Sequence, residues 1–521
     1  MKLRKITAML SALTMLTGSL TGLSVSAAAK GSGDVDENGS VAIADAILLA
    51  RYIAEDTDIT VTAQGRVNAD MTGDDLIDAD DSAALLSWLA GTASDDPQPV
   101  EGRSVNLLAD IRKGSPAVLN PTDAAFRAAQ SKLSADLLRQ LQNSEEDKNR
   151  NLLISPASVS LALGMTMNGA KGETLAEMQN VLGDSLTAEQ LNGYYAGWSD
   201  YLLASRTVYA RNMDESGRLT EEVIQSSPVT LANAIWIKDD ERQIHVPQSF
   251  LQTVADYYRA GAYKAPFDDS TVRDINSWCD ENTHHMIPSV IDRLLKEDAM
   301  VLANALTFED LWRNDYPEWC VDPGVFHAAG GAAQDVTMLS GREYTYLDDG
   351  RATGFIKQYR DPRYSFAAVL PNEDVSLDEY IAGLDGEALI NLLDHAESCE
   401  VVTKMPEFSF DYNVTLNDAL KALGMPTAFQ AGAADFTGLN DADGMYTWIS
   451  KVIHKTHIEL TKSGTKAAAV TAVIMAAGGA AIDPPEPKRV TLDRPFLFMI
   501  LDNQTKLPLF LGTVKDIPAK Q

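Results

Sequence analysis

Cysteine is scarce in this chain: three residues in 521, Cys279, Cys320 and Cys399, scattered and odd in number. That excludes a disulfide framework, and without short paired spacing they make no zinc site, so they read as small buried hydrophobes. Basic charge is also short, with 43 Lys and Arg against 74 Asp and Glu and a formal net charge of −31. Strong attraction to phosphate backbones or anionic lipid is disfavoured, and nucleic acid is not an expected partner. Beyond residue 29 there is no apolar run of about 20 residues, so no membrane span is expected in the mature chain. Neither a Gly-x-Ser-x-Gly elbow nor a His-Glu-x-x-His occurs, which leaves no recognisable hydrolase centre and argues against an enzyme.

What is present begins with residues 1–29. Lys2, Arg4 and Lys5 precede an apolar stretch from Ile6 to Leu23 and the small residues Val25-Ser26-Ala27 and Ala27-Ala28-Ala29, the pattern of a secretory signal peptide. The expected location is therefore extracellular. A duplicated unit follows. Its first copy places Asp34, Asp36, Asn38, Ser40 and Asp45 at loop positions 1, 3, 5, 7 and 12, with Gly39 at the sharp turn of position 6. A hard cation needs several oxygens converging on one point, and alternate residues of a tight loop supply them, position 7 through its backbone carbonyl. The second copy offers Asp70, Thr72, Asp74, Asp78 and Asp81, and departs from the pattern at Asp75, where Gly is usual. Each loop runs into an apolar helix, so two Ca2+ sites are expected.

This repeat, residues 33–91, resembles a type I dockerin, the calcium module that plugs into a cohesin on a scaffold protein, as in bacterial cellulosomes. The resemblance implies that partner choice rests on Ile43 and Ala44 in the first copy and Ala79 and Asp80 in the second. These pairs differ from each other and from the Ser-Thr pair of the best-known dockerins, which leaves the cohesin type open. Residues 92–122, polar and Pro-containing at their start, read as a linker. A larger domain of mixed helix and strand is expected over residues 123–518.

Several phrases in the larger domain occur together and in order: Asn151 to Ser158, Asn168 to Thr174, Leu231 to Trp236, Leu302 to Trp312, Met405 to Phe408, and Arg494-Pro495-Phe496 through Gly512. Singly, each would fill any α+β core. Jointly they resemble the serpins, which implies an α+β fold with a large central sheet and an exposed reactive loop.

Thr461 to Lys488 is the stretch that decides function. From Thr465 to Ala481 its one charge is Lys466. An uncharged β-prone run left exposed is an aggregation hazard, so the segment should have somewhere to insert. As a strand it would place Thr465, Ala467, Ala469, Thr471, Val473 and Met475 on one face and Lys466 on the other. By resemblance, Gly464, Thr465, Ala467, Ala468, Ala469 and Thr471 form the hinge of an inhibitory serpin. The implied mechanism is suicide inhibition of a serine protease. Noninhibitory service as a binding module is the alternative.

Counting from the hinge puts the bait bond near Gly478-Gly479. The loop is several residues longer than usual, so bonds after Met475, Ala476 or Ala477 stay open. None of these residues is basic or aromatic, which suits elastase- or subtilisin-like targets with small apolar primary pockets. Ser155, Ser158, Asn304 and His454 match the polar cluster beneath the sliding strands of serpins, and Trp312 matches the tryptophan where the loop enters. Lys462 and Glu407 appear with the family's usual charges inverted, and an ion pair between them is expected.

Overall fold

Alternation and helical spacing sort the apolar residues onto faces, and those faces define two units, Met1–Glu101 and Gly102–Gln521. The computed structural model describes residues 33, 35–36, 41, 43–53, 59, 61–71, 77, 81–82, 85–86, 104–144, 149–213, 219–239, 244–283, 285–442, 446–465 and 486–517. In the smaller unit, α1 (Ile43–Ile53) and α2 (Ala63–Ala69) help enclose a small core of Val35, Ala46, Leu49, Val61, Ala69, Met71 and Leu85. The Thr62 hydroxyl caps α2 by accepting the Gly65 N–H.

The larger unit is α+β. Its main sheet runs β1 (Val105–Asn106), β6 (Gly261–Ala265), β5 (Val229–Lys238), β7 (Met300–Phe308), β16 (Lys451–Thr461), β17 (Gly464–Thr465), β8 (Asp310–Leu311), and β15 (Phe408–Thr415) also pairs with β16. A six-stranded sheet runs β11 (Tyr346–Asp348), β12 (Ala352–Gln358), β13 (Tyr364–Pro371), β19 (Phe496–Asp502), β20 (Leu507–Val514), β2 (Leu152–Ile154). A four-stranded sheet runs β18 (Lys488–Thr491), β14 (Val401–Pro406), β10 (Ala333–Glu343), β9 (Val321–His327), and β3 (Arg206–Met213) with β4 (Leu219–Ser226) forms a separate hairpin.

Around these lie α3 (Ala124–Gln142), α4 (Pro156–Met167), α5 (Gly172–Gly183), α6 (Ala188–Leu203), α7 (Gln248–Tyr257) and α8 (Asp269–Asn282). Every residue of α4 is buried, so it serves as a core element rather than an amphipathic cover. Period-two alternation gives the main sheet two apolar faces. Ile235, Leu302 and Leu306 join the main core with α4, while Trp236, Val301 and Ala303 join a second cluster with Ile275 and Cys279 of α8. The cysteines are unbonded: Cys279 is buried as expected, whereas Cys320 and Cys399 are partly exposed.

Residues 104–122, read from sequence as the end of the linker, form a strap on the larger unit. Val105 and Asn106 pair with Lys264 and Tyr263, the Leu119 N–H donates to the Gly193 carbonyl, and Leu107, Leu108, Ile111 and Leu119 pack against the core. Those apolar residues, half-buried at intervals, outweigh the polar character of the segment before them.

Candidate functional site: the seam between two central strands

β7 and β16 lie side by side and parallel, yet they pair over just four positions, Val301–Asn304 with Lys451–His454. Among the described residues no ladder pair continues past His454. At the far end β17 turns back against β16, with Leu460 opposite Thr465 and Thr461 opposite Gly464, and its other edge pairs with β8, Thr465 opposite Asp310 and Gly464 opposite Leu311. Gly464 has φ +155°, and a Cβ there would come within 2.2 Å of the Asp310 carbonyl oxygen, so glycine is required for this close backbone approach. Between these ends a slit of about 10 Å³, room for about one water, is lined by Leu306, Phe308, His457, Glu459 and Thr465.

The closed end is held by a buried polar chain. The Ser155 N–H donates to His454 Nε2 at 3.0 Å, and His454 Nδ1 donates to Asn304 Oδ1 at 2.8 Å. A ring that accepts at one nitrogen and donates at the other is neutral, and burial lowers this imidazole to about 4. The Ser155 hydroxyl caps α4 by accepting the Ser158 N–H at 3.2 Å, with Pro156 at the first helical position. Ser158 Oγ and Asn304 Nδ2 are buried with no hydrogen-bond partner among the described residues. Sequence reasoning placed these four residues together, and the structure brings them together.

The hinge end is aromatic. Trp312 stacks on Tyr359 with centroids 4.5 Å apart, its indole N–H donates to the Thr461 carbonyl at 2.9 Å, and its backbone N–H donates to the Ser463 carbonyl. The Tyr359 and Thr465 hydroxyls share a hydrogen bond of 2.6 Å, and Thr465 is 2% exposed. Burial raises the Tyr359 phenol and pushes the Asp310 carboxyl up to about 7, although the latter accepts the Leu311 and Asp361 N–H groups.

The expected ion pair between Lys462 and Glu407 is not formed. The Glu407 carboxylate accepts the backbone N–H of Lys462 at 2.9 Å, and the Lys462 ammonium pairs with Glu318 instead. The turn at Lys462 and Ser463 aims the backbone donor at Glu407, which leaves the side chain to reach Glu318. That Glu318 partner raises the Lys462 ammonium above its ordinary value. The buried charge pair of this region is one that sequence reasoning missed. Lys357, 4% exposed, donates to Glu343 at 2.9 Å and to the Asn314 carbonyl at 3.0 Å, and its ammonium sits 4.3 Å from the Tyr316 ring centre and 5.3 Å from that of Trp312. Alternation could have flagged Lys357 as an inward position in β12. Nothing local pointed to its partner.

Of the remaining candidates, Ala467, Ala468, Ala469, Thr471 and the bait positions Met475, Ala476, Ala477, Gly478 and Gly479 lie outside the described residues. So do the calcium-loop residues Asp34, Asn38, Ser40, Thr72, Asp74 and Asp78 and the cohesin-facing Ala79 and Asp80. Asp45 and Asp81 are fully buried and Asp70 nearly so, and Asp45 Oδ1 accepts the Val35 and Asp36 N–H groups, which closes the first loop on itself. Carboxylates buried at the last position of each loop fit a cation that neutralises them. Ile43 opens α1 and Ala44 beside it is exposed.

This arrangement defines a class: a protein whose central sheet is parted at one end, with a loop anchored at the opening. The family model described as Serpin (serine protease inhibitor) matches residues 128–517, and the model of the dockerin type I domain matches residues 32–89. The chain therefore belongs to the serpin family and carries a type I dockerin domain at its N-terminal end. It is similar to the thermophilic serpin Tengpin in its native-state crystal structure, with 37% identity, a TM-score of 0.71, and coverage of 80% of this chain and 100% of that one. It is 27% identical over 382 residues to an uncharacterized serpin-like protein of Thermococcus kodakarensis, covering 72% of this chain and 82% of that protein. Iripin-5 of Ixodes ricinus is 28% identical over 400 residues, covering 75% and 95%.

Proposed function

We propose that this protein is an exported suicide inhibitor of serine proteases, with residues 123–518 as the inhibitory domain and residues 33–91 docking to a cohesin on an extracellular scaffold. The observation that carries the reading is the register at the parted seam. Continued along β16, the pairing of Leu460 with Thr465 sets Ala467 against Ile458, Ala469 against Thr456 and Thr471 against His454. Continued through β8 into β7, the pairing of Asp310 with Thr465 sets the same residues against Phe308, Leu306 and Asn304. Both counts deliver Thr471 to His454 and Asn304, which are themselves ladder partners. At the mouth one strand, β17, already lies between β16 and β8, and the agreement of the two registers supports its continuation between β16 and β7 on insertion. Alanines at 467 and 469 enter above Phe308, Leu306 and Ile458 without overpacking the core.

In this mechanism the protease serine adds to the carbonyl carbon of the bait bond. The C–N bond breaks, the amine leaves with a proton from the protease histidine, and an ester links the protease to the N-terminal part of the loop. Insertion of that part would add strand pairing along β16 and β7 and bury apolar side chains, and it would carry the protease along before water reaches the ester. The inhibitor supplies the bait and the stored free energy, and no catalytic residue. Docking through the dockerin would place this protection beside the scaffold's enzymes. In the calcium loops Asp36, Asp45, Asp70 and Asp81, with their counterparts in each loop, would hold Ca2+, which orders each loop by neutralising its carboxylates.

The test is incubation of the purified chain with subtilisin and with pancreatic elastase, read by denaturing gel and mass spectrometry. A covalent complex with a released C-terminal peptide is expected, and the peptide's mass fixes the bait bond within residues 475–479. Clean cleavage with the protease still active would overturn the inhibitory reading in favour of a binding module.

A further inference from the structure

We propose that the larger unit carries a binding site for a neutral saccharide at the end of β6, remote in sequence from the loop and its hinge. β6 begins its ladder with β5 at Ala234 and Gly261, so among the described residues Leu231, Ala232 and Asn233 of β5 have no strand partner on that side. A cavity of about 270 Å³ opens there, bounded by β5, β6, α8 and the strap. This is just under the ~300–1,000 Å³ of sites for drug-sized ligands, a scale suited to a single sugar ring or a short saccharide.

One wall is aromatic and fixed. Tyr263 stacks on the buried Trp236 with centroids 5.0 Å apart, and Trp278 meets Trp236 edge-on at 5.4 Å. Tyr263 and Trp278 are partly exposed and line the cavity. Rings held in this way offer a rigid apolar surface to the C–H face of a pyranose at little entropic cost.

The remaining lining supplies amides with capacity left over. Asn106 Oδ1 accepts the Leu108 N–H, which leaves its amide N–H groups to donate. Asn282 Nδ2 donates to the Trp278 carbonyl, which leaves its oxygen to accept. Asn233 contributes to the lining at the end of the β5 ladder, but its side chain is 2% exposed and, by alternation, faces the main core with Ile235, so the amides of Asn106 and Asn282 carry the polar contacts. Ligand hydroxyls both donate and accept, so they satisfy this mixed set.

Charge narrows the class further. The one formally charged residue lining the cavity is Arg259, and its guanidinium is already paired with Asp200. Among the described lining residues there is no carboxylate, and the one cation is already paired. What fits is neutral, rich in hydroxyls and ring-shaped. Because Asn106 lies on the strap and Asn282 at the end of α8, one bound saccharide would tie those two elements together.

The experiment is saturation-transfer NMR and calorimetry on the full chain with glucose, xylose and cellobiose, followed by the Trp278→Ala, Asn282→Ala and Asn106→Ala variants. Saturable binding of at least one sugar at one site per chain is expected, weakened about tenfold or more in each variant. Asn106 is exposed on the strap, so its variant tests the site even if loss of Trp278 harms folding. Absence of saturable binding by all three sugars, or affinity unchanged in Asn106→Ala and Asn282→Ala, overturns the proposal. So does saturation by a short extended peptide in place of the sugars, which would assign the cavity to strand addition on β5. None of these readouts depends on protease inhibition.

Discussion

The two ends of the seam between β7 and β16 are built from different chemistry. The end at Val301–Asn304 is zipped by four ladder positions and a buried chain from Ser155 through His454 to Asn304. Among the described residues the end at Leu306–Phe308 has no ladder to β16, and Thr465 occupies its mouth beside Tyr359 and Trp312. On the proposed reading, a directional polar lock at one end and apolar walls at the other would admit a strand from one side and resist it at a defined depth, which the register above puts at Thr471.

The largest expected effect is at the open end. Thr465→Arg forces a long charged side chain into a site where the wild-type side chain is 2% exposed, and although Asp310 lies opposite, overpacking there costs about 1–3 kcal/mol before the desolvation of the charge is counted. Covalent complex with subtilisin should fall at least about tenfold on gels, with cleaved inhibitor and active protease in its place. Undiminished complex formation would mean that this end of the sheet does not take up the loop.

Next comes the buried pair that supports the aromatic floor. Lys357→Met leaves Glu343, with a side chain only 12% exposed, without its cation. Breaking a buried pair from one side costs about 3–5 kcal/mol, whereas replacing both partners with apolar residues is often near neutral. Thermal unfolding should therefore show a large loss for Lys357→Met and a partial recovery for Lys357→Met with Glu343→Leu. Equal losses in the single and double variants would show that the pair acts by packing alone.

The closed end should respond to pH. Burial holds His454 at about 4 against an ordinary 6.5, so opened or unfolded states take up a proton that this state refuses. A base whose value is depressed on folding stabilises fully above the unfolded value and loses that stability as pH falls. The lock should thus be intact above about pH 6.5 and weaken toward pH 4, by ~3 kcal/mol at the limit. Unfolding followed from pH 7.5 to 4 should show the decline, and His454→Gln should flatten it. A parallel decline in the variant would move the origin to other groups.

The ends also differ in how far sequence could describe them. The lock was legible because Ser155 and Asn304 sit in phrases whose joint order points to the fold, while His454 was placed with them by the resemblance those phrases carry. The partners at the open end were not, since Lys462 and Glu318 are brought together by a turn and a short 3-10 segment, and Lys357 and Glu343 by two different strands. Complementary charge suggested Lys462 with Glu407, but a backbone N–H took that carboxylate, and backbone donors carry no signature in a side-chain pattern. The strap was misread for a related reason. The residues ahead of it, from Thr92 to Arg103, are mostly polar, and its own apolar residues are too irregularly spaced to announce an element.

The smallest effect probes the outer face of the open end. Carried one residue past Thr465, the two registers set Lys466 opposite Glu459 on β16 and opposite Glu309 between β7 and β8. The lone charge of the loop's first half would then lie between two carboxylates once the strand is in place. Cross-strand pairs of opposite sign contribute ~0.2–1 kcal/mol each, and like charges cost similar amounts. Lys466→Glu should therefore lower the yield of covalent complex by a few-fold at low ionic strength. The deficit should shrink as salt screens these exposed groups, and Glu459→Lys in the same chain should restore much of it. A yield independent of both charge and salt would show that the inserted strand runs in a different register. In that case Thr471 would no longer meet His454, and the lock would have to open at another depth.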